Sequence, residues 1–403
     1  MKKFLSFILI FILFISKVNA IDIDISSQNA ILYNMDSGEV LYEKNADEKA
    51  SIASLTKIMT ALVALENIDD LDKQVILTSD DFKGLAEANA VTAGFTKGEV
   101  VTYRDLLYGL LLPSGADAAK ALARNVSGSE EAFIEKMNDK AKEMGLKTTH
   151  FSTVIGLDDE NNYSTAREIS LIFKEALQHK DFKEIITTKE YTSSDGKVKF
   201  HSTIQSNAKK FDISVPYILG GKTGTTTDAG LCLATIAEAN KVNYMLVTLG
   251  ATYDKKAPHH IEDAKTIYDY FIEHYGNQII VDKQKSFKEI KVKYANNEKL
   301  KLYPTKNITM YLNNDYNKQD IKLDYDGKEE ITAFNKKGDT LGTLKIYYQD
   351  KLIDTETITL NENLKFNLLS FIKEEILIIT GIVILIVSII CLHKLKNSKK
   401  IAG

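Results

Sequence analysis

Cysteine is almost missing from this 403-residue chain, and the two that occur exclude a disulfide framework. Cys232 lies in an apolar, strand-like run and Cys391 in a long apolar segment near the C-terminus, so the two cannot pair across that separation. Arginine is scarce too, at Arg104, Arg124 and Arg167, while lysine and isoleucine abound, a bias that reflects genomic base composition. The net charge is −4, without the basic surplus of a nucleic-acid-binding surface, so no nucleic-acid partner is expected. None of the seven histidines falls in a His-Glu-x-x-His pattern, and His259-His260 reads as an adjacent pair in a loop flanked by proline. A Walker-type phosphate loop is missing as well: Gly221-Lys222-Thr223 would need a glycine at position 216, which is Pro216. Neither a metal nor another cofactor is expected.

What is present at the two ends points out of the cytoplasm. Residues 1–20 read as a secretory signal peptide: Lys2 and Lys3 open it, residues 4–15 are apolar, and Val18-Asn19-Ala20 ends in small residues, with cleavage expected after Ala20. Residues 376–392 are seventeen residues without a charge. As a helix they cover about 26 Å, near the lower limit for a bilayer core. Lys394, Lys396, Lys399 and Lys400 follow, which favours a transmembrane helix with residues 393–403 as a cytoplasmic tail. The body between the two segments is then expected on the extracytoplasmic face of the membrane, held by a single C-terminal anchor.

That body divides by composition into residues 21–276 and 277–370. The first part is long enough for a full core of helices and sheet. It opens with a hairpin, residues 30–34 and 39–42 around Asp36-Ser37-Gly38. Helical patterns follow at 103–112, 117–125, 130–144 and 165–179, then strands at 231–237 and 244–249, and a last helix at 261–274. Strands at both ends with helices between predict an α+β fold: one antiparallel sheet whose N- and C-terminal strands meet, covered by a helical block. The second part alternates apolar and polar residues at 290–294, 308–312, 321–325, 344–348 and 355–360, and reads as a small all-β domain.

The chemistry concentrates in three segments of the first part. Leu55, Ile58, Met59, Leu62, Val63 and Leu65 recur at the spacing of one helix face, without Pro or Gly. Ser54 therefore sits at or just inside a helix N-terminus, with Lys57 one turn above it, within reach of its hydroxyl. Ser-x-x-Lys alone is a weak pattern, and Ser194/Lys197, Ser206/Lys209 and Ser370/Lys373 share it. Pro113 ends the 103–112 helix, and Ser114-Gly115 makes a tight turn before the next. Gly220-Gly221-Lys222-Thr223-Gly224-Thr225 leads into a strand run. Glycine there marks a close approach of ligand or backbone, and Lys222 with the hydroxyls of Thr223 and Thr225 suits a substrate carboxylate.

The ordered triple Ser54-x-x-Lys57, Ser114-Gly115-Ala116 and Lys222-Thr223-Gly224 resembles the penicillin-recognising serine enzymes. The surroundings of Ser54, the segment from Thr149-His150-Phe151 through Gly156-Leu157 to Tyr163-Ser164-Thr165-Ala166, and Lys222-Thr223-Gly224-Thr225-Thr226 are more closely similar to the serine D-alanyl-D-alanine carboxypeptidases, the low-molecular-mass penicillin-binding proteins of peptidase family S11. The likeness covers about residues 25–275, and the family often adds a small β-domain and a C-terminal membrane anchor.

The resemblance implies a penicillin-binding-protein/β-lactamase-like fold acting on the peptidoglycan stem peptide and binding β-lactam antibiotics. It implies that Ser54 attacks the carbonyl between two terminal D-alanines, Lys57 takes its proton, and Ser114 relays a proton to the leaving amine. It further implies that Lys222, Thr223, Gly224 and Thr225 bind the substrate, with the amides of Ser54 and Thr225 as oxyanion hole. The second motif departs from the family's usual pattern by ending in Ala116 rather than Asn, which removes that side chain's contacts. A lysine acting as base near pH 7 must have its pKa lowered from about 10.4, a cost of roughly 4–5 kcal/mol. Burial and the charge of Lys222 are both expected to contribute. The alternatives are a β-lactamase and a catalytically weak cell-wall-binding homologue.

Overall fold

The computed structural model of the chain describes residues 21–401, with side chains as far as His393. The expected signal peptide and the side chains of the terminal lysines lie outside the described residues. The chain forms two compact units, which part between Glu273 and His274.

In the first unit, β1 (Asn29–Asn34) and β2 (Val40–Lys44) form the expected hairpin. A short strand, β3 (Ala50–Ser51), leads through a single 3-10 turn, Ala53–Leu55, into α1 (Thr56–Asn67). The strands β4 (Gln74–Ile76) and β5 (Val100–Thr102) pair as a ribbon before α2 (Tyr103–Leu111), α3 (Ala116–Ser127) and α4 (Glu130–Glu143). Then come β6 (Tyr163–Ser164), which pairs with β3, and α5 (Ala166–Ala176) and α6 (Lys180–Thr187). The hairpin β7 (Glu190–Thr192) and β8 (Lys199–His201) precedes α7 (Thr203–Lys210). Three long strands, β9 (Ile218–Thr226), β10 (Gly230–Ala239) and β11 (Val242–Ala251), and then α8 (His259–His274) complete the unit.

The five-stranded sheet runs β2-β1-β11-β10-β9, antiparallel throughout, so the first and last strands meet as the sequence predicts. Its two faces are both covered. Cys232, Ala234, Ile236, Met245, Val247 and Leu249 join the core beneath the helices. On the other face, Thr235 and Tyr244 meet Tyr268 of α8. Strands covered on both sides read as continuous apolar runs rather than alternating ones, which is how β10 and β11 look in sequence.

The helical block centres on α1. Every residue from Thr56 to Ala64 is buried, so this is a helix wrapped all round, wider in its contacts than the single apolar stripe suggests. Ile58, Met59 and Leu62 are fully covered, each stabilising the fold by about 1.5–3 kcal/mol. Neighbouring helices start where their caps dictate. Thr102 and Asp105 exchange hydrogen bonds at the head of α2, Ser129 caps α4 and Thr165 caps α5.

Four elements depart from the sequence reading. The pattern at 165–179 breaks after Ala176, and α6 follows as a separate helix that buries Phe182, Ile185 and Ile186. α7 is short, with little apolar surface beyond Ile204. β9 is a full strand despite its three glycines, because its neighbours leave no room for side chains: a Cβ on Gly220 would lie 2.0 Å from the Ile186 carbonyl oxygen. His259 and His260 open α8 instead of lying in a loop.

In the second unit, β12 (Tyr275–Val281) pairs with β15 (Ile308–Asn313), and β13 (Lys288–Lys293) lies between β14 (Lys299–Leu302) and β17 (Glu330–Thr332). The third sheet is β16 (Ile321–Gly327), β18 (Thr340–Tyr348) and β19 (Lys351–Thr359). Ile290, Val292, Ile331, Leu344 and Ile346 form its core. α9 (Leu368–Ile401) contains a stretch, Leu368–His393, that is long and apolar enough to cross a membrane, with mean hydropathy 3.0 in its most apolar window.

Candidate active site

Ser54 lies in the 3-10 turn that feeds α1. The turn is strained: Ala53 has φ of +47°, in the left-handed region that non-glycine residues avoid. Its surroundings hold it there. Thr56 Oγ1 donates to the Ala53 carbonyl at 2.8 Å, and Asn162 Nδ2 donates to Thr56 Oγ1 at 3.0 Å. Gly156, at φ +75°, passes so close that a Cβ on it would lie 2.1 Å from the same carbonyl oxygen. Only glycine satisfies both that backbone angle and that contact.

Lys57, the second residue of α1, has its ammonium nitrogen 3.0 Å from Ser54 Oγ and 2.6 Å from the Ile155 carbonyl, to which it donates. The side chain is buried, and loss of hydration pushes its pKa down to about 7, against the opposing pull of Asp117. A lysine in that state is partly a free amine at neutral pH and can accept a proton.

The second motif sits between α2 and α3. Ser114 has φ +70°, and Gly115 N–H donates to the Gly109 carbonyl at 2.8 Å. Lys222, reaching across from β9, places its ammonium nitrogen 2.8 Å from Ser114 Oγ and 2.7 Å from the Thr223 carbonyl oxygen. The structure thus forms two serine–lysine pairs. Lys222 is fully buried, and its pKa lies well below the ordinary lysine value, first through burial and then through repulsion from Lys57. At Lys57 burial is the main cause of the lowering, one of the two causes expected from the sequence, and the repulsion between the two ammonium groups disfavours charge on both. Lys222 also turns inward, so it does not offer an open positive charge to a ligand.

β9 forms the other wall. A Cβ on Gly224 would lie 3.2 Å from the Ser54 amide nitrogen and 3.1 Å from Ala53 Cβ, a tight fit that glycine relieves where the strand passes the nucleophile. Thr223 is largely covered and shares a 2.8 Å hydrogen bond with Thr203 at the start of α7, while Thr225 is exposed. The other Ser-x-x-Lys segments form no such site: Lys197 pairs with Asp195 at the surface, Ser206 and Lys209 lie on α7, and Ser370 and Lys373 on α9.

Asp117 is a site residue that sequence reasoning passed over. It is fully buried and accepts hydrogen bonds from the amides of Ala93 (2.7 Å), Phe95 (3.3 Å) and Ala118 (3.0 Å), tying the 91–95 loop to the second motif. Burial raises its pKa, and those amides pull it back. An acid in the first turn of a helix is ordinary, so only its burial betrays it. Asn162 and Thr203 carry no sequence signal of their own. Ala116 is buried, with its methyl in the core between the helices and the sheet. Among the described residues no cluster of His, Cys, Asp and Glu is placed to hold a metal ion.

Comparison with known proteins agrees with this arrangement. A family model described as D-alanyl-D-alanine carboxypeptidase, Peptidase S11, matches residues 16–253, and one described as the penicillin-binding protein 5 C-terminal domain matches residues 275–366. The chain is 31% identical to the D-alanyl-D-alanine carboxypeptidase DacF of Bacillus subtilis (strain 168), over 84% of its length and 86% of that protein. Among solved structures, penicillin binding protein 5 from Haemophilus influenzae is similar over 85% of this chain and 98% of that one, with TM-score 0.60 and 25% identity. The Streptomyces K15 DD-transpeptidase is similar over 61% of this chain and 97% of that one, with TM-score 0.55 and 32% identity. With two serine–lysine pairs gathered beside an antiparallel sheet, and with these matches along most of its length, the chain belongs to the D-alanyl-D-alanine carboxypeptidase family of serine hydrolases.

Proposed function

We propose that the chain removes the terminal D-alanine from peptidoglycan stem pentapeptides through an acyl-serine intermediate, and that penicillin traps the same serine. The observation that carries this is the Ser54–Lys57 contact of 3.0 Å with the lysine buried and its pKa near 7. Lys57 takes the hydroxyl proton as Ser54 Oγ attacks the carbonyl between the two D-alanines. The amides of Ser54 and Thr225 receive the developing oxyanion, a feature worth about 3–4 kcal/mol. The C–N bond then breaks, and the leaving nitrogen takes the proton of the Ser114 hydroxyl. Lys57 restores that proton, and Lys222 holds Ser114 in line. Water attacks the acyl-serine with Lys57 again as base, releasing the shortened peptide and restoring Ser54.

Within this cycle, Thr223, Gly224 and Thr225 form the strand edge against which the substrate lies. The carboxylate whose charge reaches Lys57, Asp117, has its oxygens bonded to three backbone amides. It is poorly placed to activate a water at the acyl-serine, which favours a carboxypeptidase over a β-lactamase. The apolar stretch of α9 supports a C-terminal membrane anchor, with the catalytic unit on the extracytoplasmic face.

The test is mass spectrometry of the protein after incubation with penicillin and, separately, with a pentapeptide. The expected result is one penicillin adduct, on the peptide containing Ser54, and free D-alanine from the pentapeptide. Ser54→Ala should give neither. An adduct that persists in Ser54→Ala refutes the assignment.

A further inference from the structure

One aromatic cluster in the second unit has no part in the chemistry. Tyr294 follows β13, Phe334 follows β17, Phe366 precedes α9, and Phe371 lies in its first turn. The four rings close on one another. Between centroids, Tyr294 lies 5.9 Å from Phe334, Phe334 5.5 Å from Phe366, Phe366 5.9 Å from Phe371, and Phe371 5.0 Å from Tyr294. Phe334 is 61% exposed and Phe366 46%, and Leu368, Leu369 and Ile372 nearby are exposed as well. A contiguous apolar patch of this kind marks an interaction surface.

The loop that presents Phe334 is fixed by its own hydrogen bonds. The Thr332 amide donates to Asn335 Oδ1 at 3.0 Å, the Phe334 amide to Thr332 Oγ1 at 3.3 Å, and Asn335 Nδ2 to Asp339 Oδ2 at 3.1 Å. Lys336 and Lys337 follow in the same loop. The Lys337 amide donates to Asn363 Oδ1 at 2.8 Å, which sets the loop beside the segment that carries Lys365 and Phe366. The side chains of Lys336, Lys337 and Lys365 are exposed.

The helix that leaves this face says what covers it. The Asn367 amide donates to the Tyr294 carbonyl at 2.8 Å, Asn367 Nδ2 to Asn296 Oδ1 at 3.0 Å, and the Asn296 amide to the Lys365 carbonyl at 3.2 Å. Asn367 Oδ1 also caps α9, accepting the Ser370 amide at 3.1 Å. The last two carboxylates before the charge-free run are both partnered from the β-domain. Lys291 lies 3.7 Å from Glu374, and the Tyr294 hydroxyl donates to Glu375. A charge at the edge of the hydrocarbon is costly without a partner, so these contacts keep the end of β13 at the level where α9 enters lipid. Phe371 lies five residues before Ile376, about 8 Å along a helix. The headgroup layer on each side of the hydrocarbon core is about 5–8 Å deep. The rings are therefore level with the headgroups, where aromatic side chains concentrate. Basic residues beside apolar ones suit anionic lipid.

We propose that Phe334 and Phe366, with Lys336, Lys337 and Lys365, form a face of the second unit that lies on the membrane surface, its rings among the headgroups and its lysines against anionic lipid. This rests on the membrane-anchor reading above and goes beyond it: α9 holds the protein to the bilayer, and this face fixes how the second unit rests there.

The chain has no tryptophan, so Phe334→Trp introduces a single indole. Leu352→Trp is the control. Leu352 is exposed and pairs with Tyr347, about 23 Å along β18 from Thr340, the strand's first residue after the Phe334 loop. Each full chain is placed in nanodiscs of equal parts phosphatidylcholine and phosphatidylglycerol, with and without phosphatidylcholine brominated on the acyl chains near the headgroup. Bromine should lower the emission of Phe334→Trp at least twofold and leave that of Leu352→Trp unchanged. Adding Lys336→Glu and Lys337→Glu should at least halve the quenching at position 334. Phe366→Trp serves as the reporter if Phe334→Trp melts below the wild type. The proposal is overturned if positions 334 and 352 are quenched alike, or if the lysine substitutions leave the quenching intact. It is also overturned if the emission of Phe334→Trp shifts with protein concentration in detergent, which would put a second copy of the chain on this face. A wild-type chain that does not co-elute with the nanodiscs overturns the anchor reading, and the docked face with it.

Discussion

Replacing Lys57 by methionine should stabilise the catalytic unit while abolishing its chemistry. The lysine is buried, and its pKa falls from 10.5 to about 7 on folding. A lysine whose pKa is lowered in the folded state binds fewer protons there than in the unfolded chain. Stability therefore rises with pH between the two values, and the penalty is fully present below the folded one. Linkage puts that penalty at about 4 kcal/mol at pH 7 and about 1 kcal/mol at pH 9.5. Methionine fills similar space without a charge. It loses the contacts to Ser54 and to the Ile155 carbonyl, and a buried carbonyl left without a donor costs about 1–3 kcal/mol. The net expectation at pH 7 is a gain of about 1–3 kcal/mol, or a rise of several degrees in melting temperature for a unit of this size. The gain should shrink by about 3 kcal/mol by pH 9.5, and so vanish or reverse. Thermal melts of both proteins at the two pH values, with penicillin labelling as the readout of chemistry, check this. A variant less stable than wild type at pH 7, or a difference indifferent to pH, would refute the claim that Lys57 is held near neutrality by burial.

Asp117→Asn removes the negative charge that opposes the lowering of the Lys57 pKa, so the acid limb of the acylation profile should move to lower pH. It should also cost about 1–3 kcal/mol of stability, since one amide oxygen replaces two carboxylate oxygens facing three amides. Gly156→Ala brings a Cβ to within 2.1 Å of the Ala53 carbonyl oxygen at a positive φ, so acylation of Ser54 should fall by at least tenfold and the melting temperature should drop. Truncation before Leu368 removes the apolar helix; the protein should move from the membrane to the soluble fraction on centrifugation while its penicillin acylation rate stays the same.

Much of this fold is legible in the chain because the signals are local. The hairpin 30–34 and 39–42 has a turn with Gly38 between two apolar runs, and β10 and β11 are unbroken apolar stretches joined at Asn240-Lys241, both of which adopt positive φ. β9 is harder. Its glycines lower strand propensity, and their reason lies in other segments, Ile186 for Gly220 and Ser54 for Gly224. The same division holds for the site. Ser54 and Lys57 are three residues apart across the 3-10 turn and the start of α1, so their contact can be expected from spacing alone. The pairing of Ser114 with Lys222 spans 108 positions; resemblance assigns both residues to one site, and only the structure shows them in contact. Asp117, Asn162 and Thr203 act through burial and long-range hydrogen bonds, which leave no periodicity to read. Lys222 shows the limit best, because its inward orientation and full burial follow from the sheet around it and not from the glycines and hydroxyls beside it in sequence.

The central claim is that a buried amine, uncharged near neutral pH, activates Ser54. Its most direct test is the second-order rate of penicillin acylation at Ser54, followed by intact-protein mass spectrometry from pH 5 to pH 10. The account predicts a rate that climbs with pH and levels off with a midpoint close to 7, and no reaction in Lys57→Met. A rate still climbing tenfold per pH unit between pH 8 and pH 10, as for a lysine of ordinary pKa, would contradict it.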